Sequence, residues 1–149
     1  MTTLDLEPPS PELLDALVRL PPAPGVKANV APVVYSLAEV LVTPTAWPRA
    51  VPDGDEVVGF VMANFDSDNE IEAFRAGAWR LNVADSAQGR GVGRFAVEQV
   101  ADEARRRGVD TITVLWEPGP KGPEAFYLKL GFVPTGEELF GERVGKLRL

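Results

Sequence analysis

One stretch of the chain, residues 81–108, limits the fold more than any other because three local signals follow one another within it. Leu81-Asn82-Val83 is a short, mostly apolar run that is typical of a strand end. A glycine-rich turn, Gln88-Gly89-Arg90-Gly91-Val92-Gly93, follows, and apolar residues then recur at helical spacing up to Gly108. The first N–H groups of a helix bind anions. The stretch therefore predicts a strand, a glycine turn and a helix that begins at an anion site.

The other elements follow from turn signals and apolar periodicity, and an Asp53-Gly54 pair between two apolar runs predicts a hairpin. Together they predict an α+β fold: a mixed, mostly antiparallel central sheet with flanking helices, forming a single domain over residues 1–149. Besides the central helix, the predicted elements are strands at 3–6, 47–51, 56–65, 73–83, 111–116, 132–133 and 139–149, and helices at 10–20, at 36–42 (capped by Ser36) and at 123–130.

Composition excludes several kinds of site. The 149 residues include no cysteine and no histidine, so disulfides, thiolate ligands, a cysteine nucleophile and the commonest general base are absent, and we expect no metal. A net charge of -7 argues against nucleic-acid binding and suits cationic small molecules. No apolar run approaches ~18 residues and no signal peptide is found, so we expect a cytoplasmic protein without a membrane span.

Three interpretations of the glycine turn compete. The simplest is a tight strand-to-helix turn, although three alternating glycines are more than such a turn needs. The second is a dinucleotide fingerprint, because Gly91-x-Gly93-x-x-Ala96 has the right glycines. In that motif, however, the acidic residue closes the next strand, whereas Asp110 precedes it here, and a hairpin stands upstream in place of β-α-β units. The turn also lacks the Lys-Ser/Thr end of a phosphate-binding P-loop.

The third interpretation adds a second motif. Gln88 to Gly93 matches the pattern Q/R-x-x-G-x-G/A, and Ala125-Phe126-Tyr127-Leu128-Lys129-Leu130-Gly131-Phe132 contains F-Y-x-x-L-G-F at the expected distance. Both resemble the acetyl-CoA motifs of the GNAT N-acetyltransferase superfamily, in the bacterial branch similar to spermine/spermidine (diamine) acetyltransferases. The resemblance is strong over residues 57–137. It implies the acyl-CoA N-acyltransferase fold, acetyl-CoA as cosubstrate, no metal and a small amine acceptor, with a polyamine as the expected example. Family members are often homodimers.

The resemblance also implies roles for individual residues. Tyr127 matches the general acid that protonates the departing thiolate, and Val83 offers the backbone N–H that bonds the thioester oxygen where a central strand of the family bulges. An asparagine found in many members falls at Pro120 here, so one contact to CoA is missing. The implied acetyl-CoA-binding residues are Leu81, Asn82, Val83, Gln88, Gly89, Arg90, Gly91, Val92, Gly93, Arg94, Phe126 and Lys129.

The general base and the acceptor remain open at this point. The resemblance implies direct transfer, and the lack of cysteine rules out an acetyl-thiol relay. The candidate bases are Glu39, Asp85 and Glu117 or a water chain. Trp116, at a strand end, is expected to line the site. Two alternative functions are a peptide or protein N-terminal acetyltransferase and a non-catalytic acetyl-CoA-binding module.

Overall fold

The computed structural model describes residues 4–20, 32–120 and 122–149, and within them six strands form one sheet flanked by four helices. The elements are α1 (Leu14–Val18), α2 (Val33–Val42), β1 (Ala46–Asp53), β2 (Glu56–Phe65), β3 (Ala76–Val83), α3 (Val92–Arg106), β4 (Thr111–Trp116), α4 (Glu124–Lys129), β5 (Val133–Leu139) and β6 (Glu142–Arg148). None of the helices in these ranges is long and apolar enough to cross a membrane.

The sheet has the strand order β1-β2-β3-β4-β6-β5. Strands β1, β2 and β3 form an antiparallel meander, α3 then connects β3 to the parallel strand β4, and β6 pairs antiparallel with both β4 and β5. The predicted α+β fold with a mixed, mostly antiparallel sheet is therefore confirmed.

Each face of the sheet carries its own hydrophobic core. On one face, the small and β-branched stripe of α3, including Ala96 and Val100, packs with Tyr127 of α4 against β4. On the other face, α1 and α2 pack against Phe60 and Met62 of β2. These residues are fully buried apart from Tyr127, which is 7% exposed, and burying one large apolar side chain stabilises the fold by roughly 1.5–3 kcal/mol.

The first predicted strand is wrong, and the strand predicted at 73–83 begins later than expected. The strand predicted at 3–6 is wrong: Thr3 lies outside the described residues, and the segment joins the sheet through one isolated bridge, in which Glu7 and Ala50 exchange N–H···O bonds of 2.9 and 2.7 Å. The strand predicted at 73–83 begins later, because Ala73 lies in a short 3-10 turn, Glu72–Phe74.

Helix starts and the last hairpin also needed correction. The helix predicted at 10–20 forms only over Leu14–Val18, although the Ser10 hydroxyl accepts a bond from the Leu13 N–H (3.3 Å). Ser36 is not a helix cap, because α2 begins at Val33. Ser36 is the fourth residue of this helix, and its side chain is buried. The strands predicted at 132–133 and 139–149 are Val133–Leu139 and Glu142–Arg148, with Gly141 in the turn between them.

Gly77 lies at a close approach of β3 to β4, because a Cβ there would overlap the carbonyl oxygen of Thr113. Gly77→Ala is therefore expected to force the two strands apart and to lower the free energy of unfolding by about 3 kcal/mol. Urea denaturation monitored by circular dichroism measures this. Gly108→Asn, at a left-handed position (φ 77°) with open space around it, serves as the control and is expected to change stability by less than about 1 kcal/mol. Equal effects of the two changes would contradict the close approach.

Candidate active site

The glycine turn leaves the first N–H groups of α3 pointing out of the helix. Gly91 precedes the helix in the left-handed region (φ 79°), and within the described chain no side chain caps the helix there. The first helical bond runs from the Phe95 N–H to the Gly91 carbonyl (2.9 Å). The N–H groups of Val92, Gly93 and Arg94 therefore have no acceptor inside the helix. Together with the helix dipole, they form an end that binds anions.

The three glycines of the turn serve two different purposes. Gly89 and Gly91 have φ values of 80° and 79°, and a Cβ on either would meet nothing within 4 Å, so the space above the turn is open to a ligand. Gly93 instead allows close packing, because a Cβ there would lie 3.2 Å from the Phe126 ring. The structure thus brings the two sequence motifs into contact with each other.

Strands β3 and β4 separate toward their carboxyl ends. In the described chain their parallel register covers two residue pairs, the second of which is Ala78↔Val114. Beyond that pair, β3 continues to Val83 and β4 to Trp116. The separation leaves a gap between the two strand ends, on the side of the sheet from which α3 begins.

The bend that opens this gap comes from a β-bulge at Trp79. Ala78 pairs with Ala63 of β2, and Arg80 pairs with Met62, so Trp79 is the extra residue of β3. A bulge bends its strand and increases the local twist. The bulge thus bends β3 at the point where its pairing with β4 stops.

The alternation of backbone groups along β3 decides which N–H groups face the gap. The Ala84 N–H donates to the Val58 carbonyl of β2 (2.8 Å). In an extended strand, neighbouring residues point their N–H groups in opposite directions, so the N–H of Asn82 also faces β2. The N–H groups of Val83 and Leu81 face the gap. Leu81, Asn82 and Val83 were all predicted to bind acetyl-CoA. Of these, Leu81 and Val83 direct their backbone N–H groups into the gap.

Tyr127 lies in α4 and is packed among aromatic rings. Its ring stacks on Trp116 (centroids 5.7 Å apart) and meets Phe126 and Phe132 edge-on at 5.0 and 5.6 Å. Burial raises the pKa of the Tyr127 hydroxyl to about 12, and the nearby charge of Glu142 adds to the rise. The phenol therefore stays protonated at neutral pH and can donate a proton. Trp116, predicted to line the site, is this stacking partner.

Three carboxylates and one guanidinium group gather at the open end of the gap. Arg80 Nη2 lies 3.3 Å from Glu39 Oε1 of α2. Glu142 begins β6, and the β4–β6 register places it beside Glu117, which follows β4. Burial raises the pKa of the Glu142 carboxyl, the charge of Arg80 opposes this rise, and Glu117 adds to it. The cluster thus combines three carboxyl groups with one guanidinium group.

Sequence reasoning missed Glu142, whose position depends on the register of the last hairpin. The available signal was Gly141, which ends a two-residue loop and makes Glu142 the first residue of the final strand. Of the candidate bases that were predicted, Glu39 and Glu117 belong to this cluster. Asp85 is exposed in the 3-10 turn Asp85–Ala87 that precedes the glycines.

The side chains of the other predicted binding residues contact nearby protein groups or lie in solvent. Gln88 Nε2 donates to the Val83 carbonyl (3.5 Å), Arg90 to Asp53 (3.3 Å) and Arg94 to Glu98 (2.9 Å), while Lys129 is exposed. Ion pairs as exposed as these contribute little to stability, so both arginines are free to exchange their partners for a phosphate. Among the described residues, no group of three or more acidic side chains is arranged to hold a metal.

One family profile covers both the glycine turn and α4. The profile described as the Acetyltransferase (GNAT) family matches residues 24–132, which include both motifs. The chain belongs to the GNAT acetyltransferase family. Its match covers the gap, the start of α3 and Tyr127 together.

Two curated relatives align with part of this GNAT chain. The uncharacterized N-acetyltransferase ycf52 of Pyropia yezoensis is 35% identical over 86 residues, which make up 58% of this chain and 45% of that protein. The L-2,4-diaminobutyric acid acetyltransferase of Shouchella clausii is 30% identical over 78 residues, or 52% of this chain and 42% of that protein. The chain thus matches less than half the length of either relative.

The fold agrees with that of a solved structure along nearly the whole chain. The PaiA N-acetyltransferase from Thermoplasma acidophilum, solved in complex with coenzyme A, superposes with a TM-score of 0.74 at 12% identity and covers 99% of this chain and 100% of that one. At this identity the similarity establishes the shared GNAT fold.

Proposed function

We propose that this GNAT chain transfers the acetyl group of acetyl-CoA directly to a primary amine of a small cationic molecule, with polyamines as the acceptor class. The observation that carries the proposal is the gap between β3 and β4, which has the anion-binding start of α3 at one side and Tyr127 at the other. The names of two relatives support it, since one was solved with coenzyme A and the other is a diaminobutyric acid acetyltransferase.

The start of α3 is the proposed site for the pyrophosphate of acetyl-CoA. The N–H groups of Val92, Gly93 and Arg94 are the donors, and the open space at Gly89 and Gly91 lets the phosphates approach the backbone closely. The N–H of Leu81 faces the gap and is placed to bond the adjoining pantetheine arm. These groups fit the ligand without a metal.

Val83 and Tyr127 are the proposed groups that stabilise charge during transfer. As the amine nitrogen forms its bond to carbon and the C–S bond breaks, the Val83 N–H donates to the thioester oxygen. One such donor is worth about 3 kcal/mol in other enzymes. Tyr127 gives its proton to the departing thiolate, and the pKa of about 12 keeps that proton in place until the thiolate forms.

Glu142 is the proposed acceptor of the proton that the amine releases. Its half-buried carboxyl has a raised pKa because of burial, which brings it closer to the working pH of a general base. Glu39 is less suited because Arg80 already occupies one of its oxygens at 3.3 Å. Both groups return to their starting protonation states before the next turnover, Glu142 by losing its proton and Tyr127 by regaining one.

Glu142→Gln is expected to lower kcat/KM for the amine by about 10²-fold at neutral pH, because the base is lost. Glu142 works as the ionised form, so the wild-type rate falls as the pH drops below the raised pKa. The two pH–rate profiles should therefore converge at acidic pH and diverge as the pH rises. Glu138→Gln, on the exposed strand β5, is the control and should leave the profile unchanged. Parallel pH–rate profiles for the wild type and Glu142→Gln would show that Glu142 is not the general base.

An acceptor panel tests the proposed substrate class. Thiol release from acetyl-CoA is measured with spermidine, putrescine, 2,4-diaminobutyrate and a peptide with a free N-terminus, and kcat/KM is compared. The carboxyl groups at the open end, Glu142 among them, predict that the diamines and spermidine have the highest values. Preference for the peptide would contradict the acceptor class. Binding of acetyl-CoA without turnover of any amine would indicate a non-catalytic module.

A further inference from the structure

Phe140 occupies a backbone conformation that an aromatic residue rarely adopts. Leu139 pairs with Glu142, so Phe140 and Gly141 form a two-residue loop between β5 and β6. Their φ values of 53° and 79° are both positive, as in a type I′ turn. Within the described chain Phe140 is the non-glycine residue with positive φ. Asparagine or glycine is the residue type that favours this position, so a phenylalanine there is strained.

The side chain does not gain burial in return for this strain. Phe140 is 80% exposed. One face of its ring stacks on Phe74 with a centroid distance of 6.0 Å and an interplanar angle of 7°, which leaves the opposite face to solvent. Residues with strained backbones cluster at active sites, ligand clamps and switch regions.

The ring ends a row of aromatic side chains that leads to the gap. Phe74 meets Trp79 edge-on at 6.2 Å, and Trp79 is the bulged residue at which β3 and β4 part. Glu142, two residues after Phe140, lies beside Glu117 at the carboxyl end of β4. The tip of the hairpin therefore lies at the open end of the gap, next to these carboxyl groups and on the side where an acceptor must enter.

We propose that Phe140 is a specificity-determining residue whose exposed face contacts the aliphatic chain and distal ammonium group of the acceptor amine. The inference rests on the proposed function. An aromatic face attracts a cation and packs against methylene groups. With carboxylates on one side and the ring on the other, the site selects an extended cationic amine over a short or uncharged one.

Phe140→Asn separates this role from a structural one. The change creates Asn-Gly, the pair that favours a type I′ turn, so the melting temperature is expected to stay the same or rise. The KM for putrescine is expected to increase about tenfold, since the cation–π contact is lost. The KM for acetyl-CoA and the KM for ethylamine, which has no distal ammonium group, are expected to stay within about twofold.

Two further variants support the comparison. Phe140→Tyr keeps the aromatic face and is expected to retain the wild-type KM for putrescine. Leu41→Gln replaces an apolar side chain of α2 that is 87% exposed. It is expected to change neither the KM for putrescine nor the KM for acetyl-CoA.

The outcomes separate the two proposals. If the wild type acetylates putrescine and Phe140→Asn has the same KM for it, the specificity role of Phe140 is wrong while the proposed function stands. A lower melting temperature with equal losses for both amines would assign Phe140 to the fold and also overturn the inference. If the wild type acetylates no amine, the proposed function fails, and the inference fails with it.

Discussion

Tyr127→Phe is expected to lower kcat by about 10²- to 10³-fold, because the proton for the departing thiolate is lost. Phenylalanine keeps the ring that stacks on Trp116 at 5.7 Å and meets Phe126 at 5.0 Å, so the melting temperature should change little. The KM for acetyl-CoA should stay within about twofold, since the hydroxyl acts only after the ligand is bound. Steady-state kinetics and thermal unfolding of the same preparation measure all three quantities.

The chain offers a matched control for this change, since it contains two tyrosines. Tyr35 lies on α2 and is 58% exposed, so Tyr35→Phe removes the same hydroxyl away from the ring cluster and should leave kcat unchanged. A wild-type kcat in Tyr127→Phe would exclude the phenol as the acid. A rise in KM with unchanged kcat would assign Tyr127 to binding.

Gly91→Glu is expected to weaken acetyl-CoA binding by at least about 10²-fold. The substitution places a carboxylate in the open space at the start of α3, where the pyrophosphate is proposed to bind. At an acetyl-CoA concentration 100 times the wild-type Kd, ligand binding stabilises the wild type by about 2.7 kcal/mol. Most of the resulting rise in melting temperature should be absent in the variant, which differential scanning fluorimetry measures.

Gly136→Glu controls for both the charge and the backbone strain. Gly136 lies in β5 with φ 86°, and a Cβ there also meets nothing within 4 Å. Glutamate thus has the same steric freedom and the same unfavourable conformation as at position 91, but away from the glycine turn. This control should keep the full acetyl-CoA shift. If both variants keep it, the turn does not bind the pyrophosphate; if both lose it, the loss at position 91 reflects strain or general stability.

Elements with local signals were predicted close to their observed bounds. The β-branched run Thr111–Trp116 and the strand Glu56–Phe65 were predicted with their observed ends. Turn chemistry ends each neighbouring segment, for example at Gly54, where φ is 64°. The central helix was predicted for the same reason, since its apolar stripe and its glycines lie within one short stretch.

Features that depend on distant contacts could not be predicted. The resemblance implied a bulge in this strand near Val83, whereas the extra residue is Trp79, four residues earlier, and nothing adjacent in the sequence specifies that position. Ser36 had the pattern of a helix cap, yet packing of α2 on the sheet buries it. Glu142 joins the site through the register of β4, β5 and β6, so its role emerges only when the hairpin is in place.

The most direct test of the account is acetyl transfer itself, measured with purified protein, acetyl-CoA and putrescine. The account predicts that free thiol appears when both substrates are present, in amounts equal to the acetylated amine identified by mass spectrometry, and that no acetyl group remains on the protein. This result would show direct transfer through the gap between β3 and β4. Acetyl-CoA binding without any acetylated amine, or an acetylated protein as the sole product, would contradict it.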